Sequence, residues 1–238
     1  IYIFIVITNL AFILVNMYFL FLYLTVFFVY IVVTGRIDVD DFPYVDRIPG
    51  IIMPFLHQWN DVRPDGNCGF RCVADVFHGG EDNWQLARRS IANEIAANPS
   101  FYEHVYYDGV AQARQRINWG GGPCGENHYM ETWTDLFPIA NFYKCAVMFF
   151  SLGNDGSLYP CLTVLPWESP PTVTRPCREL IIAHLGSYAH YIRLDLNEGF
   201  PVPPIANLWF QIRDESVIGW ELEYQNRIAY WQQLCNMF

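Results

Sequence analysis

The seven residues Asp65-Gly66-Asn67-Cys68-Gly69-Phe70-Arg71 constrain this chain more than any other stretch, because they make a tight turn that becomes a helix at a cysteine. Asp65, Gly66 and Asn67 are turn residues: short polar side chains that bond nearby backbone, around a glycine that tolerates positive φ. Beyond them Cys68, Cys72 and Val76 recur every fourth residue, one apolar stripe of a short helix that Gly79-Gly80 ends. Cys68 then occupies the first turn, where unpaired N–H groups and the helix dipole favour an anion. That setting predicts a thiol of lowered pKa, a thiolate nucleophile, and backbone donors able to hold an oxyanion.

A thiol nucleophile needs a base. Of six histidines, His184 and His190 sit on late strands, Leu180–Leu185 and His190–Leu194, around the turn Gly186-Ser187-Tyr188. His184 lies inside an apolar run, the ordinary place of a hydrogen-bonded core histidine. His190 opens its strand just past the turn, the edge position suited to a base. The residues alone leave both open, with His190 the better placed.

The rest of the chain supplies a frame. Residues 36–60 mix acids, prolines and isolated apolar residues and read as a linker. Trp84, Ala87, Ile91 and Ile95 mark one face of a helix, opened by Asp82 with Gln85 as a capping box, and leave Arg88, Arg89 and Glu94 off that face. Residues 128–143 read as helical. Cys145–Ser151 is a continuous apolar run suited to a central strand, and Leu162–Leu165 reads as another. After Pro201-Val202-Pro203-Pro204, a helical, aromatic-rich segment from Trp209 to Trp231 folds back on the domain.

Composition narrows the partners. A net charge of −10, with Lys144 the one lysine among fourteen basic residues, argues against a nucleic-acid surface. Seven cysteines without a CxxC pair indicate a reducing, intracellular compartment, cytoplasm or nucleus. Cys124 and His128 are spaced like metal ligands, but no second pair follows, so no metal is expected.

Residues 1–34 carry no charge and exceed the ~20 residues a spanning helix needs. Without a basic leader or a small-residue cleavage site they read as a membrane anchor rather than a signal peptide. The chain begins with Ile, so a non-coding lead translated in frame is the competing reading.

The Asp-Gly-Asn-Cys-x-Phe-Arg string, followed over a hundred residues later by His190-Tyr191 at a strand start, resembles the ovarian-tumour (OTU) family of cysteine proteases, which cleave ubiquitin conjugates. The resemblance runs from about Asp61 to Leu196. It implies an α+β, papain-like cysteine-protease fold of the OTU type, a small central sheet flanked by helices. The implied division is a hydrophobic segment at 1–35, a linker at 36–60, a catalytic domain at 61–196 and a C-terminal helical extension at 197–238. By the same resemblance Cys68 is the nucleophile, His190 the general base and Asp65 the acid, with Gly66 and Asn67 in the oxyanion loop. The substrates implied are ubiquitin or ubiquitin-like conjugates, and no cofactor is needed. One position departs from the pattern: many members have Asp or Asn two residues after the histidine, where this chain has Ile192. That departure supports a rival, an OTU-like module that binds protein without turnover. A second rival is a membrane-tethered interaction protein centred on residues 1–34.

Overall fold

Five strands form one sheet: Leu56–Asn60 (β1), Ala146–Ser151 (β2), Leu162–Val164 (β3), Glu179–Leu185 (β4) and His190–Leu196 (β5), in the order β1-β5-β4-β2-β3. They belong to a computed structural model that describes residues 41–153, 156–158, 161–168 and 178–237. The chain divides into two units, Ile1–Phe42 and Pro43–Phe238, and the second holds the sheet and its helices. The apolar lead, 1–34, lies outside the described residues. Among the described residues no helix is long and apolar enough to cross a membrane.

All six residues of β2 are buried, the outcome expected of an unbroken apolar run when both faces of a sheet are covered. β2 pairs in parallel with β4 and antiparallel with β3. β4 and β5 form the antiparallel pair around Gly186–Tyr188 that the turn residues predict. Strand alternation sends Phe149 and Phe150 to opposite faces. On one face Phe149 approaches Tyr191 (ring centroids 6.5 Å); on the other Phe150 approaches Trp231 (5.8 Å).

The helix predicted after the turn is Cys68–Phe77 (α1), and Gly79 and Gly80, both at positive φ, follow its end. It packs on β5 and β4 and also on Trp84–Ala97 (α2), so Cys68 through Ala74 are all buried rather than one stripe of them. A side chain at Gly69 would bring its Cβ to 2.6 Å from Met130, so that contact needs a glycine.

Shorter helices follow at Pro99–Tyr102 (α3), Val110–Ile117 (α4) and Leu136–Tyr143 (α5). The tail forms Asn207–Ile212 (α6) and Trp220–Cys235 (α7). It is tied to the sheet by an Arg227–Glu179 ion pair (2.8 Å) and to the loop after β3 by the Trp209 indole N–H, which donates to the Pro166 carbonyl (2.9 Å).

Four expectations change. The stretch read as linker ends in a strand: β1 pairs with β5, Trp59 opposite Leu194 and Asn60 opposite Arg193. Residues 56–60 lack an apolar alternation because β1 is an edge strand, largely open to solvent. The capping box at Asp82 does not form; Glu81–Asn83 is a 3-10 turn, and Asp82 instead pairs with Arg63 and Arg71. Arg88, placed off the apolar face by periodicity, is fully buried. The helix read over 128–143 begins only at Leu136, with Pro138 in its first turn, where a missing N–H costs nothing.

Candidate active site

Cys68 stands where the turn feeds α1, and the residue is 5 % exposed. Gly66 makes the turn possible. Its φ is +82°, and a Cβ there would lie 2.2 Å from the Cys124 carbonyl, which faces the loop because Cys124 N–H donates to Asp65 O (2.9 Å). Gly66→Ala is expected to lower unfolding stability by more than the roughly 1–2 kcal/mol of left-handed backbone strain alone. A urea titration reads this, and an unchanged midpoint would show that the loop gives way.

The loop is fastened by two buried arginines, Arg71 at the end of the motif and Arg88 on α2. The Asp65 carboxylate accepts from Asn67 N–H (3.0 Å) and from Arg71 Nε and Nη2 (3.1 and 2.6 Å). Burial alone would raise its pKa, but these donors outweigh burial and hold it below the usual carboxylate value. The pair's stabilisation is therefore present above the ordinary carboxylate range and fades as pH falls through the lowered value. Arg88 donates to Asn67 Oδ1 (3.0 Å) and to the carbonyls of Ile117 (3.1 Å) and His128 (2.8 Å), with its guanidinium 3.9 Å from the Phe70 ring centre. It contacts the Cys124 sulfur at 3.5 Å as well. Cys124 and His128, read as spaced like ligands, thus serve this scaffold; His128 Nδ1 pairs with the Arg116 carbonyl (3.1 Å).

The expectation of a thiol with a lowered pKa is overturned. Burial pushes the Cys68 thiol up, more than the N–H groups of Tyr191, Gly69 and Cys68 itself pull it down. Those same donors locate the sulfur beside the backbone of Tyr191, the residue after His190. Cys72, one turn on, is completely buried and pushed well above the ordinary thiol value, also by desolvation.

His190 opens β5, as expected, and is 6 % exposed. Its Nε2 lies 2.8 Å from Asp61 Oδ1. A carboxylate only accepts, so this bond puts the ring hydrogen on Nε2 and leaves Nδ1 as the acceptor. Nδ1 is buried and has no hydrogen-bond partner among the described residues. His184 lies across the ladder from Tyr191, between that ring (4.7 Å) and Phe149 (6.5 Å), and burial lowers its pKa. These are the surroundings of a structural histidine.

The expected acid, Asp65, does not meet His190; both its oxygens are taken by Arg71 and the turn. Nor is Asn67 N–H open to an oxyanion, since it donates to Asp65. Asp61 is the residue that sequence reasoning missed. It follows β1 directly, and the antiparallel register, which puts Asn60 opposite Arg193, brings the end of β1 alongside the start of β5 where His190 stands. An acid thus reaches the imidazole from the neighbouring strand instead of from the position two after the histidine. Ile192 is fully buried in the core. Reading 56–60 as a strand would have been the only signal.

No protein-family model matches the chain. A curated relative, the ovarian tumor domain-containing deubiquitinating enzyme 9 of Arabidopsis thaliana, is 27% identical over 86 residues, 35% of this chain and 24% of the relative. The chain thus spans about a quarter of that relative's length. Among solved structures, the OTU domain of OTUD1 matches 58% of this chain and 84% of its own at 15% identity and a TM-score of 0.44. The viral OTU domain protease from Dera Ghazi Khan virus matches 62% and 85% at 13% identity and a TM-score of 0.45.

Proposed function

We propose that this OTU-like domain is a cysteine-type deubiquitinase, hydrolysing isopeptide bonds at the C-terminus of ubiquitin or a ubiquitin-like protein. The observation that carries the reading is the Asp61–His190 bond, which leaves Nδ1 as the acceptor on a strand packed against the helix that begins at Cys68.

In this mechanism the buried thiol rests protonated, so attack needs general-base help. His190 Nδ1 takes the Sγ proton as sulfur bonds to the scissile carbonyl carbon. Asp61 stabilises the resulting imidazolium and keeps the ring in its Nε2–H form. The oxyanion of the tetrahedral intermediate is met by Cys68 N–H, which the helix leaves unpaired. The C–N bond then breaks, and the imidazolium returns its proton to the leaving lysine amine. Water, deprotonated by the same Nδ1, attacks the thioester and releases the carboxylate and the thiol. Asp65, Gly66 and Asn67 shape the loop that presents Cys68. Asp61 places a carboxylate on His190 where Ile192 offers none, and this supports turnover over a binding module.

The test is covalent capture. The full chain is mixed with a ubiquitin whose C-terminus carries an electrophile, and the adduct is mapped by peptide mass. A single adduct on Cys68 is expected. Labelling at Cys72 or Cys124, or no labelling beside an active control enzyme, would overturn the assignment.

A further inference from the structure

Asp61 is held at both ends. Oδ1 bonds His190, while Oδ2 accepts the Tyr44 hydroxyl at 2.6 Å. The side chain of Asp61 is 40 % exposed, unlike the nearly enclosed imidazole it serves. A carboxylate so open to water is free to turn toward solvent, and the exchange of one hydrogen bond for a hydrated one costs little. Tyr44 supplies the missing restraint. Its own backbone is fixed by a turn in which Arg47 N–H donates to Tyr44 O (2.9 Å), anchored by the buried Ile48 that follows.

We infer that Tyr44 is a positioning residue for the imidazole: its hydroxyl pins Oδ2 so that Oδ1 stays on His190 Nε2. Tyr44 acts through Asp61 and touches neither thiol nor scissile bond. The bond to Asp61 also pushes the phenol up to about 12, so the hydroxyl keeps its proton, and its role as donor, across the whole range in which a thiol enzyme works. The rate consequence rests on the hydrolase reading; the effect on the ring does not.

The experiment therefore has two arms on the full chain. In the first, the histidine rings are labelled with 15N and the His190 nitrogen shifts are read at neutral pH. The native protein is expected to show the Nε2–H tautomer, and Tyr44→Phe to show both shifts moved toward the tautomer average. In the second, turnover of a ubiquitin C-terminal amide is measured in a double-mutant cycle. Tyr44→Phe is expected to lower kcat about tenfold, the worth of one charge-assisted hydrogen bond, with KM little changed. In an Asp61→Asn background it is expected to cost almost nothing further. An unchanged tautomer, or a loss that adds fully to that of Asp61→Asn, would overturn the inference. A tautomer shift in a chain that hydrolyses no ubiquitin conjugate would sustain Tyr44 and sink the hydrolase reading instead.

Discussion

His190→Ala is expected to lower kcat on a ubiquitin C-terminal amide by on the order of 10²–10⁴, the contribution of a positioned general base. The loss is large because the Cys68 thiol is not pre-ionised: burial raises its pKa, and without the imidazole little thiolate forms near neutral pH. Asp61→Asn is expected to follow it closely, with a loss of about 10²-fold or more, since an amide cannot stabilise imidazolium and can present its NH₂ to Nε2 and so favour the wrong tautomer. Two controls separate this from general damage. His184→Ala should chiefly affect stability, because that ring sits among Phe149 and Tyr191. Asp65→Asn should likewise cost stability more than rate, because it breaks the carboxylate's grip on buried Arg71. If Asp65→Asn is inactive while well folded, and Asp61→Asn fully active, the roles given to the two acids are reversed.

Arg88→Met is expected to produce the largest loss of stability of any single change near the site, roughly 3 kcal/mol or more in a denaturant titration. Methionine matches the arginine stem out to Nε but supplies no donor. Asn67 Oδ1 and the carbonyls of Ile117 and His128 would then each lose the N–H that satisfies it inside the protein. The guanidinium is unusual in having carbonyls, an amide, a sulfur and an aromatic face as its partners rather than a carboxylate. Burial pulls its pKa down to about 10, which still leaves it positive at neutral pH and attracted to the Phe70 ring. Because Arg88 ties α2 and the 117–128 segment to Asn67, activity should fall along with stability. Arg89→Met, one residue on and exposed, should stay within about 0.5 kcal/mol. Equal midpoints for the two variants would show that Arg88 is not the clamp.

The sequence by itself determined what depends on neighbours along the chain. The turn at Asp65–Asn67, the helix that starts at Cys68 and the glycines that follow its end are local chemistry, and local chemistry is legible. So is β2, whose unbroken apolar run leaves no polar face for solvent. The different settings of His190 and His184 were legible for the same reason, since a strand start beside a turn differs from a strand interior. What only the tertiary structure decided lies across strands and between helices. Asp61 becomes the partner of His190 through the register of β1 on β5, over 129 residues of sequence separation, and the solvent-facing edge strand just before it has no periodicity to announce it. Arg88 shows the same limit. Helical spacing turns it off the apolar stripe of α2, and only the arrival of the Asp65–Cys68 loop and the 117–128 segment gives that side chain enough acceptors to be buried. The Cys68 thiol makes the point in electrostatics. Its place at a helix start argues for a lowered pKa, but α1 is enclosed by both the sheet and α2, and the loss of water outweighs the few N–H groups that face the sulfur.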